Sequence, residues 1–341
     1  MSNKKKKLLI LLAVLAIISI GMIIAQTRVF KPSLGSRMAR LAVQYWLAPA
    51  FAADDFVQSV RKSLVSINRL AILPHRTRVE KVTVEGMRAE WVTADSIDRQ
   101  SKRVILYIHG GGFFSGSCDT HRDLVARISG AAGLPVLMPE YRLAPEHRFP
   151  AANEDCLAAY RWLLRQGYTA KDIFIGGDSA GGCLTLMTVI SLRDAGQQLP
   201  AAIFLLSPLT DAVHFDGESL KTRALADPFF RSPELMDHRS HELMDRHIGL
   251  YTRELKIKPP ILSPVRLNLG GLPPMLIQVG GDEILLSDST RLAERAKKAG
   301  VDTTIQVWEH MWHVFQSFAV IAPESREAIR SIGDFVKRQS K

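Results

Sequence analysis

The feature that most constrains this 341-residue sequence is a repeated alternation of short apolar runs with longer segments of helical periodicity. Near-continuous apolar runs are typical of buried strands, and strands that alternate with helices form parallel sheets covered by those helices. We therefore predict an α/β fold with a mostly parallel central sheet flanked by helices. Predicted strands are 79–84, 89–93, 103–108, 135–138, 172–175, 202–206, 275–279 and 303–308, and predicted helices are 121–132, 153–166, 180–195, 289–299 and 324–337.

Two segments depart from this alternation. Residues 36–71 have helical periodicity with a break at Ala48-Pro49. Residues 210–260 are polar, rich in histidine and helical in pattern, and the strand pattern resumes only after them. An insertion into the sheet domain is the economical interpretation of this second segment.

The N-terminal segment has the composition of a membrane anchor. Lysines at 4–7 precede Leu8–Ala25, which has no charged residue and is long enough to cross a bilayer as a helix. We predict an uncleaved single-pass anchor within residues 1–27, with a cleaved signal peptide and a buried core helix as the alternatives. The lysines favour a cytoplasmic N-terminus, and a competing basic flank consists of Arg28, Lys31, Arg37 and Arg40.

The formal charge of +10 is concentrated at the N-terminus. Residues 1–40 hold eight of the 44 Lys and Arg residues and no acid, which leaves 36 basic against 34 acidic residues in the rest of the chain. We therefore expect no nucleic-acid partner. The three cysteines form no C-x-x-C pair, so neither a disulfide framework nor a zinc site is indicated, and we expect all three to be small buried residues: Cys118, Cys156 and Cys183.

The segment Gly177-Asp178-Ser179-Ala180-Gly181 lies between a predicted strand and a predicted helix. In that context a G-x-S-x-G pattern indicates a tight turn that holds an exposed, reactive serine, because glycines on either side allow the backbone to bend sharply. Ser179 is therefore the candidate nucleophile. We expect Asp178 to bond the turn.

Three successive glycines follow the strand that ends at Ile108, in the segment His109-Gly110-Gly111-Gly112-Phe113. Backbone N–H groups in such a loop can approach a substrate oxygen and stabilise an oxyanion. The candidate donors are Gly111 and Gly112, together with the N–H of Ala180. A phosphate-binding loop is the alternative, although the sequence has no G-x-x-x-x-G-K-[ST] pattern.

A serine nucleophile needs a histidine base and a carboxylate that orients it, and in a strand–serine–helix arrangement of this kind they follow in the order serine, acid, histidine. His313 lies in a loop after the last predicted strand, and we expect the nearby His310 to help build that loop. Asp282 follows the strand 275–279 and is the predicted acid, with Glu283 and Asp288 as its rivals.

The segment His241-Glu242-Leu243-Met244-Asp245-Arg246-His247 superficially matches the zinc-binding pattern H-E-x-x-H. Its second histidine stands six residues after the first, which places it off the same helix face. We therefore predict no metal site there and a solvated helix that carries His238, His241 and His247.

Several segments together resemble the bacterial hormone-sensitive-lipase-like carboxylesterases of the α/β-hydrolase superfamily. The resemblance covers roughly residues 79–336. It rests on H-G-G-G-F at 109–113, Y-R-L-A-P-E at 141–146, F-P-A at 149–151, G-D-S-A-G-G at 177–182, Ser207-Pro208, and the acid and histidine segments. The acid segment departs from the family pattern D-P-L-R-D-E, because Glu283 stands where proline is usual.

This resemblance implies an α/β-hydrolase fold in residues 79–341, with Ser179 as nucleophile and an oxyanion hole from Gly111, Gly112 and Ala180. It implies a helical cap, built from a linker and N-terminal segment at 28–78 and from an insertion at about 211–259. The membrane segment is similar in arrangement to that of anchored arylacetamide deacetylases. In a bacterium it would place the protein in the inner membrane, with the periplasmic side favoured for the catalytic domain.

The implied activity is hydrolysis of short- to medium-chain acyl esters through an acyl-enzyme, without a metal or organic cofactor. A deacetylase or a lactone hydrolase with the same three residues is the first alternative. The second is a non-catalytic small-molecule receptor, which the presence of His313 disfavours. A homodimer is left open.

Overall fold

The computed structural model describes residues 32–68, 72–95, 97–236 and 240–340. In these residues eight strands form one sheet in the order β1-β2-β4-β3-β5-β6-β7-β8. The first two pairings, β1 with β2 and β2 with β4, are antiparallel, and all others are parallel. The strands are β1 (Arg78–Val84), β2 (Met87–Thr93), β3 (Val104–Ile108), β4 (Val136–Pro139), β5 (Ile173–Asp178), β6 (Ala202–Leu206), β7 (Met275–Gly280) and β8 (Thr303–Trp308).

Helices precede, connect and follow the strands in the described part of the chain. They are α1 (Leu34–Ala42), α2 (Ala48–Ala52), α3 (Phe56–Asn68), α4 (Cys118–Ala132), α5 (Ala151–Arg165), α6 (Ala180–Asp194), α7 (Glu218–Thr222), α8 (Ser240–His247), α9 (Gly249–Thr252), α10 (Leu286–Lys298) and α11 (Pro323–Gln339). A π-helical turn, Val43–Leu47, joins α1 to α2.

The apolar runs of the central strands are buried on both faces of the sheet, as predicted. Alternate residues of β3 belong to different cores: Leu106 packs in one cluster with residues of α5 and α6, and Tyr107 packs in another with residues of α4 and α11. This alternation follows from the two-residue period of a strand. The predicted α/β fold with a mostly parallel, doubly covered sheet is therefore confirmed.

Helix α4 starts three residues before its predicted first residue, His121. Ser117 and Thr120 form a capping box, in which each side chain binds the backbone N–H of the other. This pair satisfies two of the amide donors that a helix N-terminus leaves free. The helix ends at Ala132 and is capped by Gly133, whose φ of 74° is the left-handed conformation that favours glycine.

The two segments outside the strand–helix alternation contact each other. The ring of Phe51, in α2, lies edge-on to Phe230 and to His247, with centroids 5.4 and 5.9 Å apart. Arg246 donates to the carbonyl oxygen of Ala53 at 2.8 Å. Side chains of both segments line the cavity that contains Ser179.

The predicted membrane segment, Leu8–Ala25, lies outside the described residues. Within residues 32–340, wherever the structure describes the chain, no helix is long and apolar enough to cross a bilayer.

Candidate active site

Ser179 stands in the turn between β5 and α6, as the sequence predicts. Its backbone has φ 53° and ψ −119°, a conformation that costs energy for a residue with a side chain. The flanking glycines are needed for close approach: a Cβ on Gly177 would lie 2.5 Å from the carbonyl oxygen of Gly181, and one on Gly181 would lie 2.1 Å from that of Ile108. This packing presents the serine hydroxyl at the carboxyl end of the sheet.

His313 lies in the loop after β8 and reaches the serine. Its Nε2 is 2.9 Å from the Oγ of Ser179. Two contacts hold the loop in place. The backbone N–H of Val314 donates to the hydroxyl of Ser207 at 3.0 Å, and Gly280 lies so close to Met311 that a Cβ would meet its carbonyl oxygen at 2.3 Å.

The carboxylate that contacts His313 is that of Glu283, and the predicted contact with Asp282 is wrong. The Oε2 of Glu283 is 3.2 Å from the Nδ1 of His313, and the side chain of Glu283 is fully buried. Asp282 instead forms an ion pair with Arg40 at 3.0 Å, and its side chain is 26% exposed. The rival Asp288 is also elsewhere, since it accepts hydrogen bonds from the backbone and hydroxyl of Thr210.

The backbone after β7 explains why Glu283, and not Asp282, faces His313. After β7 the chain turns through Gly281, whose N–H binds the carbonyl of Trp308, while the N–H of Asp282 binds that of Met311. In this turn the side chain of Asp282 points to α1 and that of Glu283 to the histidine. The position where the family pattern has proline therefore carries the buried carboxylate.

A second buried carboxylate, Asp227, faces the same histidine. It accepts hydrogen bonds from the backbone N–H groups of Phe229 and Ile284, at 2.9 and 3.0 Å. Burial raises the pKa of Asp227 to about 6, against the opposing effect of His313. Burial alone would lower the pKa of His313, but the hydrogen bond and charge of Glu283 and the charge of Asp227 outweigh it and raise that pKa above its ordinary value.

Two of the predicted oxyanion donors, Gly111 and Gly112, lie on the wall of the same cavity as Ser179. Both have positive φ, 120° and 62°, which only glycine adopts readily. Within the described residues, the backbone N–H groups of Gly111, Gly112 and Ala180 donate to no protein acceptor. They are therefore free to bind a substrate oxygen.

Asp178 fixes the glycine loop to the serine turn, in agreement with its predicted structural role. Its Oδ1 accepts from the N–H of Gly110 at 3.0 Å and from the hydroxyl of Tyr107 at 2.9 Å. Its Oδ2 lies 3.3 Å from the Nε2 of His121. These bonds set the distance between the nucleophile and the candidate oxyanion donors.

The serine opens into a cavity of about 360 Å³, a size that suits a small organic ligand. Its walls are mainly apolar, and they include side chains of the N-terminal helical segment and of the insertion. Phe229 and Phe230 line this cavity and lie edge-on to the ring of His313, with centroids 5.7 and 5.4 Å away. The sequence offered no signal that singled out this pair or Asp227.

The sequence predicts a solvated helix that carries the histidines of the insertion at positions 238, 241 and 247. In the described part of the chain, no group of three or more His, Cys, Asp or Glu residues is arranged to hold a metal ion. His247 is buried rather than solvated, and its Nδ1 and Nε2 lie 2.9 and 3.1 Å from the carbonyl oxygens of Leu243 and Phe51. His238 lies outside the described residues.

Known proteins resemble this chain over most of its length. A family model described as the α/β hydrolase fold matches residues 105–317. The chain is 40% identical over 256 residues to an acetyl-hydrolase of Streptomyces hygroscopicus, covering 75% of this chain and 81% of that one. It is 33% identical over 306 residues to an esterase of Acinetobacter venetianus, with coverage of 90% and 94%.

Solved structures show the same relationship. An esterase of the bacterial hormone-sensitive lipase family is 40% identical and superposes with a TM-score of 0.79, over 89% of this chain and 98% of that one. Sequence, fold and site geometry therefore converge. The chain belongs to the α/β-hydrolase fold family, among the esterases related to hormone-sensitive lipase, and is a carboxylic-ester hydrolase.

Proposed function

We propose that Ser179, His313 and Glu283 form the catalytic triad of a serine carboxylesterase. The observation that carries this proposal is the unbroken chain of contacts from the serine Oγ through both ring nitrogens to a buried carboxylate. The Nδ1–H of His313 donates to Glu283, which leaves Nε2 to accept the serine proton. Asp282, which pairs with Arg40, does not belong to this triad.

In the proposed reaction, the Oγ of Ser179 attacks the ester carbonyl carbon while Nε2 of His313 takes the hydroxyl proton. The tetrahedral intermediate carries its negative charge on the former carbonyl oxygen, which the N–H groups of Gly111, Gly112 and Ala180 would stabilise. The histidine then gives its proton to the departing alcohol. Water, deprotonated by His313, attacks the acyl carbon; the bond to the Oγ of Ser179 then breaks as His313 returns the proton to that oxygen, and the acid is released.

Short- to medium-chain acyl esters are the proposed substrates. The cavity volume of about 360 Å³ and the aromatic side chains beside His313 favour a compact acyl group. The relative from Streptomyces hygroscopicus is named an acetyl-hydrolase, which supports the short end of this range. We further propose that residues 28–78 and the insertion at 211–259 act as a cap, because both contribute walls to the cavity.

We also propose that Leu8–Ala25 anchors the enzyme in a membrane. The support is in the sequence: the run has no charge, and four lysines precede it. An anchored protein stays in the membrane pellet after an alkaline carbonate wash, and its variant without residues 1–27 does not. Release of the full-length protein by the wash would reject the anchor and leave the esterase proposal intact.

The test of the catalytic proposal is hydrolysis of p-nitrophenyl esters from acetate to palmitate, beside an anilide and a lactone, with Ser179→Ala as the control. We expect serine-dependent turnover that peaks at short or medium chains. Serine-dependent activity on the anilide or lactone alone would instead assign a deacetylase or a lactone hydrolase. Turnover of no substrate would reject the catalytic proposal.

A further inference from the structure

One face of the first helices is apolar and open to solvent. We call the five residues on it the apolar stripe, and each is between 52% and 73% exposed: Leu34, Met38, Leu41, Tyr45 and Trp46. Most of them recur at three- and four-residue intervals, which places them on one side of a helix. The opposite side, with Ala39, Val43 and Leu47, is buried against the protein.

The stripe is held rigidly in this orientation. Ser33 and Ser36 both bind Glu324, the second residue of α11, through their hydroxyl groups at 2.8 and 2.7 Å. Gly35 packs so tightly that a Cβ would lie 1.9 Å from the carbonyl oxygen of Ile321. The exposure of these side chains is therefore a property of the folded domain, and not of a frayed end.

The stripe continues into the mouth of the active-site cavity. Trp46 belongs to the stripe and also lines the cavity that contains Ser179. Ile321, which packs against Gly35, and its neighbour Val320 line the same cavity and are 45% and 39% exposed. A contiguous apolar surface of this kind marks an interaction site more often than scattered exposed residues do. A partner bound to this surface would also lie at the entrance to the cavity that contains Ser179.

The charge of the N-terminal residues and the short length of chain before the apolar stripe indicate that a membrane binds this surface. Residues 1–53 contain no Asp or Glu, and Arg28 and Lys31 lie just before the stripe, so an anionic lipid surface would be attracted. Eight residues separate Ala25 from Leu34, and even fully extended they span at most roughly 29 Å. An anchor at Leu8–Ala25 would therefore keep the first residue of the stripe within that distance of the bilayer.

We propose that the apolar stripe docks on an anionic lipid bilayer and that lipophilic esters dissolved in the bilayer enter the cavity there. Tyr45 and Trp46 suit this position, because aromatic residues with a polar atom concentrate at membrane interfaces. The proposal rests on the proposed esterase function and names its substrate class: a short acyl group on a long apolar alcohol. The alcohol would remain in contact with the bilayer while the acyl group reaches Ser179.

The first experiment compares two butyrate esters with the full-length enzyme in phosphatidylcholine–phosphatidylglycerol vesicles. One is hexadecyl butyrate dissolved in the vesicles, and the other is p-nitrophenyl butyrate in water. The variant Met38→Glu/Leu41→Glu places charges on the stripe at positions that do not line the cavity. Ile257→Glu is the matched control, because Ile257 is 85% exposed and lies outside both stripe and cavity.

We expect the double variant to lose at least tenfold of its rate on the vesicle ester and to keep its rate on the soluble ester, with the control unchanged on both. An unchanged vesicle rate in the double variant would overturn the docking proposal. Absence of hydrolysis of both esters by the unmodified enzyme would instead reject the esterase function, so the two failures are distinguishable.

The second experiment locates Trp46 directly. Lipids brominated on their acyl chains quench tryptophans at the bilayer, and we expect Trp46→Phe to remove most of the quenching seen with the unmodified enzyme. Equal quenching in both proteins would overturn the proposal. So would efficient disulfide crosslinking between two copies of a Leu41→Cys variant in vesicles, because a second copy would then cover the stripe.

Discussion

Replacing Glu283 with Gln and, separately, Asp282 with Asn distinguishes the two candidate acids. At the 3.2 Å between the Glu283 carboxylate and the Nδ1 of His313, a unit charge stabilises the imidazolium by about 5 kcal/mol at an effective dielectric constant of 20. Loss of that stabilisation in the transition state corresponds to a fall in kcat of about 10³- to 10⁴-fold. We expect this loss for Glu283→Gln, and less than about tenfold for Asp282→Asn.

The pH dependence of kcat/KM provides an independent readout of the same pair. His313 must be neutral to act as a base, and its pKa is raised mainly by Glu283, so activity falls as the pH drops through a value above the ordinary histidine pKa. In Glu283→Gln, burial dominates and lowers the pKa of His313. We therefore expect the acidic limb to move to lower pH in that variant, and to stay in place in Asp282→Asn.

Stopped-flow or steady-state hydrolysis of p-nitrophenyl butyrate between pH 5 and pH 9 would measure both effects. Circular dichroism and thermal unfolding would control for loss of structure in either variant. The assignment would be refuted if Asp282→Asn lost as much kcat as Glu283→Gln, or if Glu283→Gln left both kcat and the acidic limb unchanged.

Three further predictions concern stability. Gly181→Ala should lower the free energy of unfolding by about 1–3 kcal/mol in urea titration and reduce activity, because its Cβ would overlap the carbonyl oxygen of Ile108 at 2.1 Å; a stable, active variant would contradict this packing. Gly130→Ala, inside α4, should instead raise the free energy of unfolding by about 0.5–1 kcal/mol, because its Cβ would make only an ordinary 3.5 Å contact with Ala94; destabilisation would contradict this reasoning. In a double-mutant cycle, Arg40→Ala and Asp282→Asn should show a coupling of about 0.2–1 kcal/mol, and zero coupling would mean that the ion pair does not form in solution.

The strands could be predicted closely from the sequence because burial on both faces leaves few polar residues in them. The predicted boundaries of 202–206 and 303–308 match β6 and β8. Helix starts were less predictable: the three residues before His121 have no apolar periodicity, and only the capping box of Ser117 and Thr120 reveals them. Interactions between side chains at a helix end are a weaker signal than a repeated apolar pattern.

In the site, too, some residues could be predicted from the sequence and others could not. Flanking glycines identified Ser179 as the nucleophile, and the chain order of serine, acid and histidine identified His313 as the base. The structure brings these two residues together as expected. The acid was predicted at Asp282, but the adjacent Glu283 contacts His313, because which of the two faces the histidine depends on the turn bonds of Gly281 and Asp282 with distant loop residues. Asp227 had no sequence signal, since its position depends on hydrogen bonds from the backbone N–H groups of Phe229 and the distant Ile284.

The most direct test of the central claim is covalent labelling of the nucleophile with a fluorophosphonate, followed by mass spectrometry of the digested protein. We predict loss of esterase activity in step with the addition of one phosphonyl group to the peptide that contains Ser179, and neither labelling nor activity in Ser179→Ala. Full labelling at another residue, or ester hydrolysis that persists in Ser179→Ala, would contradict the assignment of Ser179 as the nucleophile.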